Sequence, residues 1–588
     1  MYVTASRRLL RQSARWSKLR FSSARLLQPS EVRSSSLQDV TGQPLGSPLP
    51  HDEHACSVSL PTWSSVVGYE EGDPATTQAM KCGYPRFVYH PYVVQLMDYA
   101  VRESEGKRDC IVLPTRASAV RCQAFLQKAL ENRKDVVDNA LIEGSHEVPC
   151  HNDPASAIQV SELGDIFAVS FPATTPAGSE AKAYWQHGGE VVSSRLASRT
   201  LRQLGLPVAK AVTPTRTSYH PCEAQSPNPH EALRERVAAW AGVPGGDHVF
   251  LTTSGMSSLY TALRAARRYH MEKSPWSVGG SSIVFGFPYL DTLKLCSRSE
   301  LCPGGVEFFG HGDARDLDNL EQLLAKGRQS FSVLFTELPS NPLLRTPDLH
   351  RLRELADQYD FLLVVDDTIS NFLNVDIIAS GLADAVCSSL TKLVSGRGDA
   401  MAGSIVANDR TPRGRWLQQD LMQRCNPTGG LYEADACAML DNSKDFEERN
   451  AIINANSEGL ADWLDAHDDV EVVYYPKGSD NYTKLQTGGF GGLMSIVLHP
   501  HMCQRTFYDA LNVAKGPSLG TNFTLVCPYT LLAHYHELDF AMTYGVQPNL
   551  IRIAVGMEDL NELKETFETA FSRSRLHPKL PCSIPDRQ

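Results

Sequence analysis

The chain has 588 residues, 42% apolar and 21% charged, the balance of a folded protein with a large core and room for more than one domain. A formal net charge of −11 argues against a nucleic-acid surface, which needs concentrated Lys and Arg. No apolar run approaches the roughly eighteen residues of a membrane-spanning helix, so no membrane partner is expected.

Residues 1–27 carry Arg7, Arg8, Arg11, Arg15, Lys18, Arg20 and Arg25 with no acidic residue. This Arg-rich, Ser-rich composition reads as a mitochondrial address or as a basic tail on a cytoplasmic protein, and in either case it stands outside the fold. The Ser/Pro-rich stretch that follows extends this segment as a linker to residue 53. Residues 54–227 have globular composition but no constellation of catalytic side chains. Within them Gly83-Tyr84-Pro85-Arg86-Phe87 sets an arginine between aromatics, either a packed turn with a snorkelling Arg or a contact to a phosphate or carboxylate. His151 and His187 lack partners at metal-ligand spacing, so no metal is assigned, and the 14 cysteines include no Cys-x-x-Cys pair, so reduced thiols are expected.

At Asn228-Pro229-His230-Glu231 a helix begins, with Asn as cap, Pro in the first turn and Gly242 as stop. Strands at 283–285, 306–309, 333–335 and 361–366 then alternate with helices from 291, at 316–326 and at 348–359. Continuous apolar strands between amphipathic helices predict an α/β fold, a doubly wound, mostly parallel sheet forming a large domain over 228–410. Ligands of such sheets gather where the strands end. Beyond 410 the pattern predicts a long helical region over 441–466, strands at 470–475 and 493–498, and a terminal strand around Arg552. That makes a smaller α/β domain over 411–573, followed by a tail at 574–588. The glycine-rich stretch 488–492 precedes a strand rather than opening a helix, which makes it a bend and not a phosphate loop.

Four stretches carry chemistry. In Ser389-Leu390-Thr391-Lys392 a lysine follows a buried apolar strand, the setting in which low dielectric depresses its pKa and makes it a nucleophile toward carbonyls, including pyridoxal phosphate. Ser254-Gly255-Met256 opens an amphipathic helix whose first-turn N–H groups can hold a phosphate. The strand 361–366 ends in Asp366, and an aspartate in such a place keeps a pyridine nitrogen protonated. Arg552 lies among apolar β-formers, where its fork can clamp a carboxylate. Each alone has a plainer reading, as a solvated turn, an ordinary capped helix, a strand-end cap or an exposed strand face.

Taken in order, these stretches resemble the γ-family of fold-type-I pyridoxal-phosphate enzymes, the Cys/Met-metabolism group. The motifs that carry the resemblance are Ser254-Gly255-Met256, Glu337-Leu338-Pro339-Ser340-Asn341-Pro342, Val365-Asp366-Asp367-Thr368, Ser389-Leu390-Thr391-Lys392, Gly396-Arg397-Gly398-Asp399 and Arg552-Ile553-Ala554-Val555-Gly556. Upstream, Ser57 to Trp63, Gly83 to Phe87 and Ala181 to Gly189 look like the extended fungal cystathionine γ-synthases. The resemblance implies pyridoxal 5′-phosphate as cofactor, held by Gly255, Met256, Ser389 and Thr391 at the phosphate, Asp366 at the pyridine nitrogen, Tyr289 against the ring and Lys392 as covalent partner. It implies Asn341, Thr524 and Arg552 at the substrate, with Thr524 in the place of a serine after Ser518-Leu519-Gly520. It further implies small amino-acid substrates, a homodimer or homotetramer, and γ-replacement on an activated homoserine by cysteine. A sulfhydrylase, a cystathionine lyase, a γ-replacement enzyme of secondary metabolism and a cofactor-free scaffold are the alternatives.

The chain departs from the family in one place. Ahead of Asn-Pro the family has a Tyr-x-Arg that reaches the partner subunit's cofactor phosphate, whereas Glu223-Ala224-Gln225-Ser226-Pro227 here has neither residue, leaving Arg195 as a candidate replacement cation. Because residues 1–27 read as an address or tail, their deletion is expected to leave turnover unchanged; loss of activity in a truncated protein that still folds counts against this reading.

Overall fold

The computed structural model describes residues 40–103, 107–141, 157–208, 228–274 and 279–575. The basic segment 1–27 lies outside them, as does the tail beyond Arg575. Near the start, β1 (Pro48–Leu49) pairs antiparallel with β2 (Ser57–Val58). A three-stranded antiparallel sheet follows, built from β3 (Arg108–Leu113), β4 (Gln159–Leu163) and β5 (Ile166–Pro172) in the order β3-β5-β4.

This N-terminal layer is not a separate body. Ile111, Leu113, Val169 and Phe171 share one apolar cluster with Leu259 and Leu263 of the helix Gly255–Lys273. The helix Ala177–Gly188 sends Trp185 into the same cluster, 1% exposed, and its indole N–H donates to the Pro85 carbonyl at 2.9 Å. Burial of a tryptophan is worth about 3–5 kcal/mol against alanine, so this anchor fixes the turn that carries Tyr84 and Arg86.

The large sheet runs β6-β12-β11-β10-β9-β7-β8. Its strands are β6 (Val249–Thr252), β7 (Ser281–Phe285), β8 (Val306–Phe309), β9 (Phe331–Glu337), β10 (Leu362–Asp366), β11 (Ala385–Ser388) and β12 (Gly403–Ala407). Both faces are covered: Leu362 and Val364 enter one core, Leu363 and Val365 the other, the period-two consequence of a strand buried on both sides. From β11 through β8 the pairing is parallel, but β12 runs antiparallel to both β11 and β6. That reversal makes residues 389–402 a loop across the carboxyl edge of the sheet, and Lys392 rides on it.

The second sheet, β13-β14-β17-β16-β15, comprises β13 (Val470–Tyr474), β14 (Leu493–Leu498), β15 (Ala514–Lys515), β16 (Leu525–Cys527) and β17 (Ile551–Ala554). The helical region expected over 441–466 is the helix Phe446–Asp465, and a break at 443–445 separates it from a preceding helix, Glu433–Asn442. The reason is local competition for acceptors. Ser443 folds its hydroxyl onto the Met439 carbonyl at 2.6 Å, and the Asn442 carbonyl accepts from Arg449 at 3.0 Å rather than continuing the helical ladder.

Arg449 is the clasp between the two sheets. Only 1% exposed, it donates to the Leu393 carbonyl at 3.0 Å, the Val394 carbonyl at 2.8 Å, Asn522 Oδ1 at 3.1 Å and Asp445 Oδ1 at 2.8 Å. Gly396 leaves it room: its φ is +65°, and an added Cβ would stand 2.2 Å from Arg449 Nη1. Arg449→Lys keeps the charge but loses the fork. The variant is expected to destabilise the protein by about 3–5 kcal/mol, the cost of breaking a buried charged network, visible as a lower denaturant midpoint; an unchanged midpoint removes the clasp.

Candidate active site

One cavity of about 470 Å³ opens where β9, β10 and β11 end, between the large sheet, the second sheet and the N-terminal layer. It is lined by Gly255, Met256, Tyr289, Asn341, Asp366, Ser389, Lys392 and Arg552, which come from six separate stretches of chain. Strand register does much of the gathering. Asp366 pairs with Glu337 on one side and Cys387 on the other, so the Asn341 turn, the Asp366 carboxyl and the Ser389 loop emerge together.

Lys392 is half-buried in the wall, with Nζ donating to Ser518 Oγ at 2.8 Å and lying 4.3 Å from the centre of the Tyr84 ring. Burial holds its ammonium below the ordinary range against the opposing influence of Tyr84, and the cations Arg86 and Arg552 push the same way as burial. Burial alone would raise the Tyr84 hydroxyl, but the charges of Lys392 and Arg86 pull it below its usual value. Lysine and phenol are thereby brought toward each other as proton donor and acceptor.

Asp366 carries a carboxyl raised by burial, and its Oδ1 accepts the Thr368 N–H at 2.9 Å. The neighbouring Asp367 is 1% exposed and turned into the structure, accepting the Phe372 N–H at 3.0 Å, and does not line the cavity. Alternation along the strand thus separates the two aspartates. Glu337, beside Asp366, is pushed up to about 8 by burial and by the Asp366 charge. Its two oxygens accept the Tyr289 N–H at 2.5 Å and the Asn341 N–H at 3.1 Å, so one carboxyl sets both the aromatic wall and the polar wall.

Arg552 is 5% exposed and has no acidic partner among the described residues: it donates to Asn341 Oδ1 at 3.3 Å and the Ser518 carbonyl at 2.5 Å, with the Tyr529 ring centre at 4.7 Å. A buried guanidinium satisfied only by neutral acceptors is a site for an anion. The helix Gly255–Lys273, which also lines the cavity, starts from Ser254, whose hydroxyl donates to the Gly189 carbonyl at 2.7 Å and accepts the Ser257 N–H at 3.1 Å. A Cβ on Gly255 would meet Ser389 Cβ at 2.7 Å, so only glycine lets this helix start approach the Lys392 loop.

The structure does not bring every expected residue to the cavity. Thr391 turns its hydroxyl to the Ala402 carbonyl at 3.2 Å and receives the Ala402 N–H, tying down the loop. Thr524 is held by Glu558, hydroxyl to Oε2 at 2.8 Å, and accepts the Gly556 N–H; the hydroxyl at Lys392 belongs to Ser518 instead. Ser518 sits at φ 89°, in the left-handed region, and that backbone conformation is not readable from local composition. Arg195 does not line the cavity; it donates to the Asp399 carbonyl at 2.8 Å and pairs with Asp435 at 3.3 Å. What stands at the cavity is Tyr84 and Arg86, from the stretch read as a packed turn or an anion contact. Arg86 is 2% exposed and does not snorkel: it donates to Asp291 Oδ2 at 2.8 Å, to the Gln186 carbonyl at 2.6 Å and to the Tyr289 hydroxyl at 2.6 Å. The signal was present as a Tyr-x-Arg, but far upstream of where the family pattern places it.

Residues 224–572 match the family described as Cys/Met metabolism PLP-dependent enzyme, and residues 92–193 match the fungal trans-sulfuration enzyme N-terminal domain. A cystathionine γ-synthase of Neurospora crassa is 35% identical, covering 91% of this chain and 99% of its own. A cystathionine γ-synthase-like enzyme of Amanita muscaria is 34% identical over 92% of this chain and 98% of its own. Among solved structures, a putative O-acetylhomoserine (thiol)-lyase of Campylobacter jejuni, 20% identical, covers 58% of this chain and 86% of its own at a TM-score of 0.50.

The chain belongs to the Cys/Met-metabolism PLP-dependent enzymes, with the fold-type-I architecture, and pyridoxal 5′-phosphate is its cofactor. The cavity fits that group: a glycine-limited helix start and Ser389 for the phosphate, a strand-end carboxyl for the pyridine nitrogen, and a lysine of depressed pKa for the aldehyde. Asp366→Asn is therefore expected to retain cofactor, read by its visible absorbance, while activity falls by about two orders of magnitude or more. Full activity in that variant removes Asp366 from the ring nitrogen.

Proposed function

We propose that this enzyme replaces the γ-substituent of an activated homoserine, O-acetyl- or O-succinylhomoserine, with cysteine sulfur to give cystathionine. In this reaction the Cγ–O bond breaks, a Cγ–S bond forms, the carboxylate leaves and the thiol proton is released. The observation that carries the reading is the buried Arg552 near Lys392, without an acidic partner among the described residues, which suits an α-amino acid whose carboxylate is clamped and whose Cα and Cβ face an amine. Bound pyridoxal phosphate supplies the electron sink for charge developing at Cα.

The residues divide the remaining work. Arg552 and Asn341 hold the carboxylate. Lys392 moves protons at Cα and then Cβ, the second transfer being what distinguishes γ-chemistry from β-elimination. Tyr84, over Lys392, and Ser518, bonded to it, keep the amine aimed and adjust its charge. Likeness over nearly the whole chain to the Neurospora crassa cystathionine γ-synthase, including the N-terminal region, supports synthesis over cleavage.

Borohydride treatment of the holoenzyme followed by peptide mapping is expected to leave the phosphopyridoxyl group on Lys392; its recovery on another lysine ends this assignment. Arg552→Lys is expected to lower the rate about tenfold to a hundredfold, the worth of a hydrogen bond to a charged group, because a point charge cannot reproduce the fork. Purified enzyme given O-acetylhomoserine and cysteine is expected to form cystathionine faster than it cleaves it. Dominant cleavage, or strong preference for inorganic sulfide over cysteine, moves the protein to the lyase or sulfhydrylase reading.

A further inference from the structure

A γ-replacement brings two amino acids to one cavity, and the inner wall can clamp only one carboxylate, at Arg552. The cavity continues outward past Tyr289 to a rim made by the helices Trp63–Glu71, Ala177–Gly188 and Leu290–Ser297 and by residues 532–537. Most of the charged groups along its wall are already committed. Arg86 is paired with Asp291, Glu337 is engaged by two backbone N–H groups, and Glu537 accepts from His534 at 2.8 Å.

Three ionisable groups remain. Glu70, Lys182 and Lys294 line the rim and make no ion pair or hydrogen bond with the described residues. Burial pushes the half-buried Glu70 carboxyl up to about 8, against the pull of the Lys294 charge, which forms no ion pair with it; an ammonium arriving beside Glu70 is what would hold it ionised. Lys182 stands exposed on the same helix as Gln186, four residues on, the spacing that puts both on one face. Asp291 and Lys294, three apart, share a face of the Leu290–Ser297 helix in the same way and connect the Arg86 anchor to the rim.

We propose that this rim is the subsite for the second amino acid, with Glu70 receiving its ammonium group and Lys182 and Lys294 its carboxylate. The side chain of such a guest then points inward toward Lys392, with its thiol directed at the γ-carbon. This rests on the γ-replacement reading and deepens it: the N-terminal region, apart from its part in the core, selects the nucleophile. A thiol without an ammonium or without a carboxylate leaves one of these charges unpaired and is discriminated against.

The test compares kcat/KM of cysteine with those of cysteamine, which lacks the carboxylate, and 3-mercaptopropionate, which lacks the ammonium, using O-acetylhomoserine as first substrate. Wild-type enzyme is expected to prefer cysteine over both. Glu70→Gln should shrink the preference over 3-mercaptopropionate, and Lys294→Gln or Lys182→Gln the preference over cysteamine, each by about tenfold. Equal cofactor absorbance shows that the variants are loaded, and the exposed position of Lys182 keeps the test open should a Glu70 variant misfold. Preferences unmoved in all three variants, with cystathionine still formed, overturn the subsite alone. Failure of wild-type enzyme to use any of the thiols overturns the γ-replacement reading, and the subsite with it.

Discussion

The site depends on parallel strands ending in step. Because Glu337, Asp366 and Cys387 stand side by side in β9, β10 and β11, the segments that follow them must leave the sheet at one edge. Two carboxyls then lie next to each other in a buried place, which is costly unless the charge is shared or used. Glu337 spends its lone pairs on the backbone of Tyr289 and Asn341, while Asp366 faces the cavity. One element of register therefore sets the Tyr289 wall, the Asn341 turn and the strand-end acid together.

Three buried arginines show how the surroundings of a charge identify its task. Arg449 is surrounded by carbonyls and closed by Asp445, so it is structural, holding the Lys392 loop against the Phe446–Asp465 helix. Arg86 is neutralised by Asp291 and braces Tyr289 through its hydroxyl. Among the described residues Arg552 alone of the three meets only neutral acceptors, and it shares Ser518 with the Lys392 amine. The same residue type is a rivet, a brace and a guanidinium without a counter-charge according to whether an acid stands beside it.

The N-terminal region is a wall of the cavity rather than an appendage. Its sheet shares a core with the helix Gly255–Lys273, and the Gly189 carbonyl accepts from both Thr253 and Ser254 at the start of that helix. Trp185 then fixes the turn that carries Tyr84 and Arg86. A loosened N-terminal layer would thus disturb the helix start, the aromatic wall and the lysine's immediate neighbour at once.

Sequence alone determined the alternation of strands and helices, the caps at Asn228 and Ser254, and the positions of Lys392, Asp366, Gly255, Met256, Ser389, Asn341, Tyr289 and Arg552, all of which line the cavity. Lys392, Asp366, Gly255 and Met256 were legible because each lies at a local signal, the end of an apolar strand or the start of a helix; Arg552 stood out as a charge among apolar β-formers, and Tyr289 and Asn341 came only from the ordered family motifs. Tertiary structure decided the rest. Which hydroxyl meets Lys392 follows from the backbone turn at Ser518, and Thr391 and Thr524 were captured instead by Ala402 and Glu558. The break at 443–445 arises from an arginine competing for a carbonyl. Tyr84 and Arg86 reach the cavity only because an apolar core joins regions distant in the chain, and burial of that kind leaves no mark in the spacing of the residues it brings together.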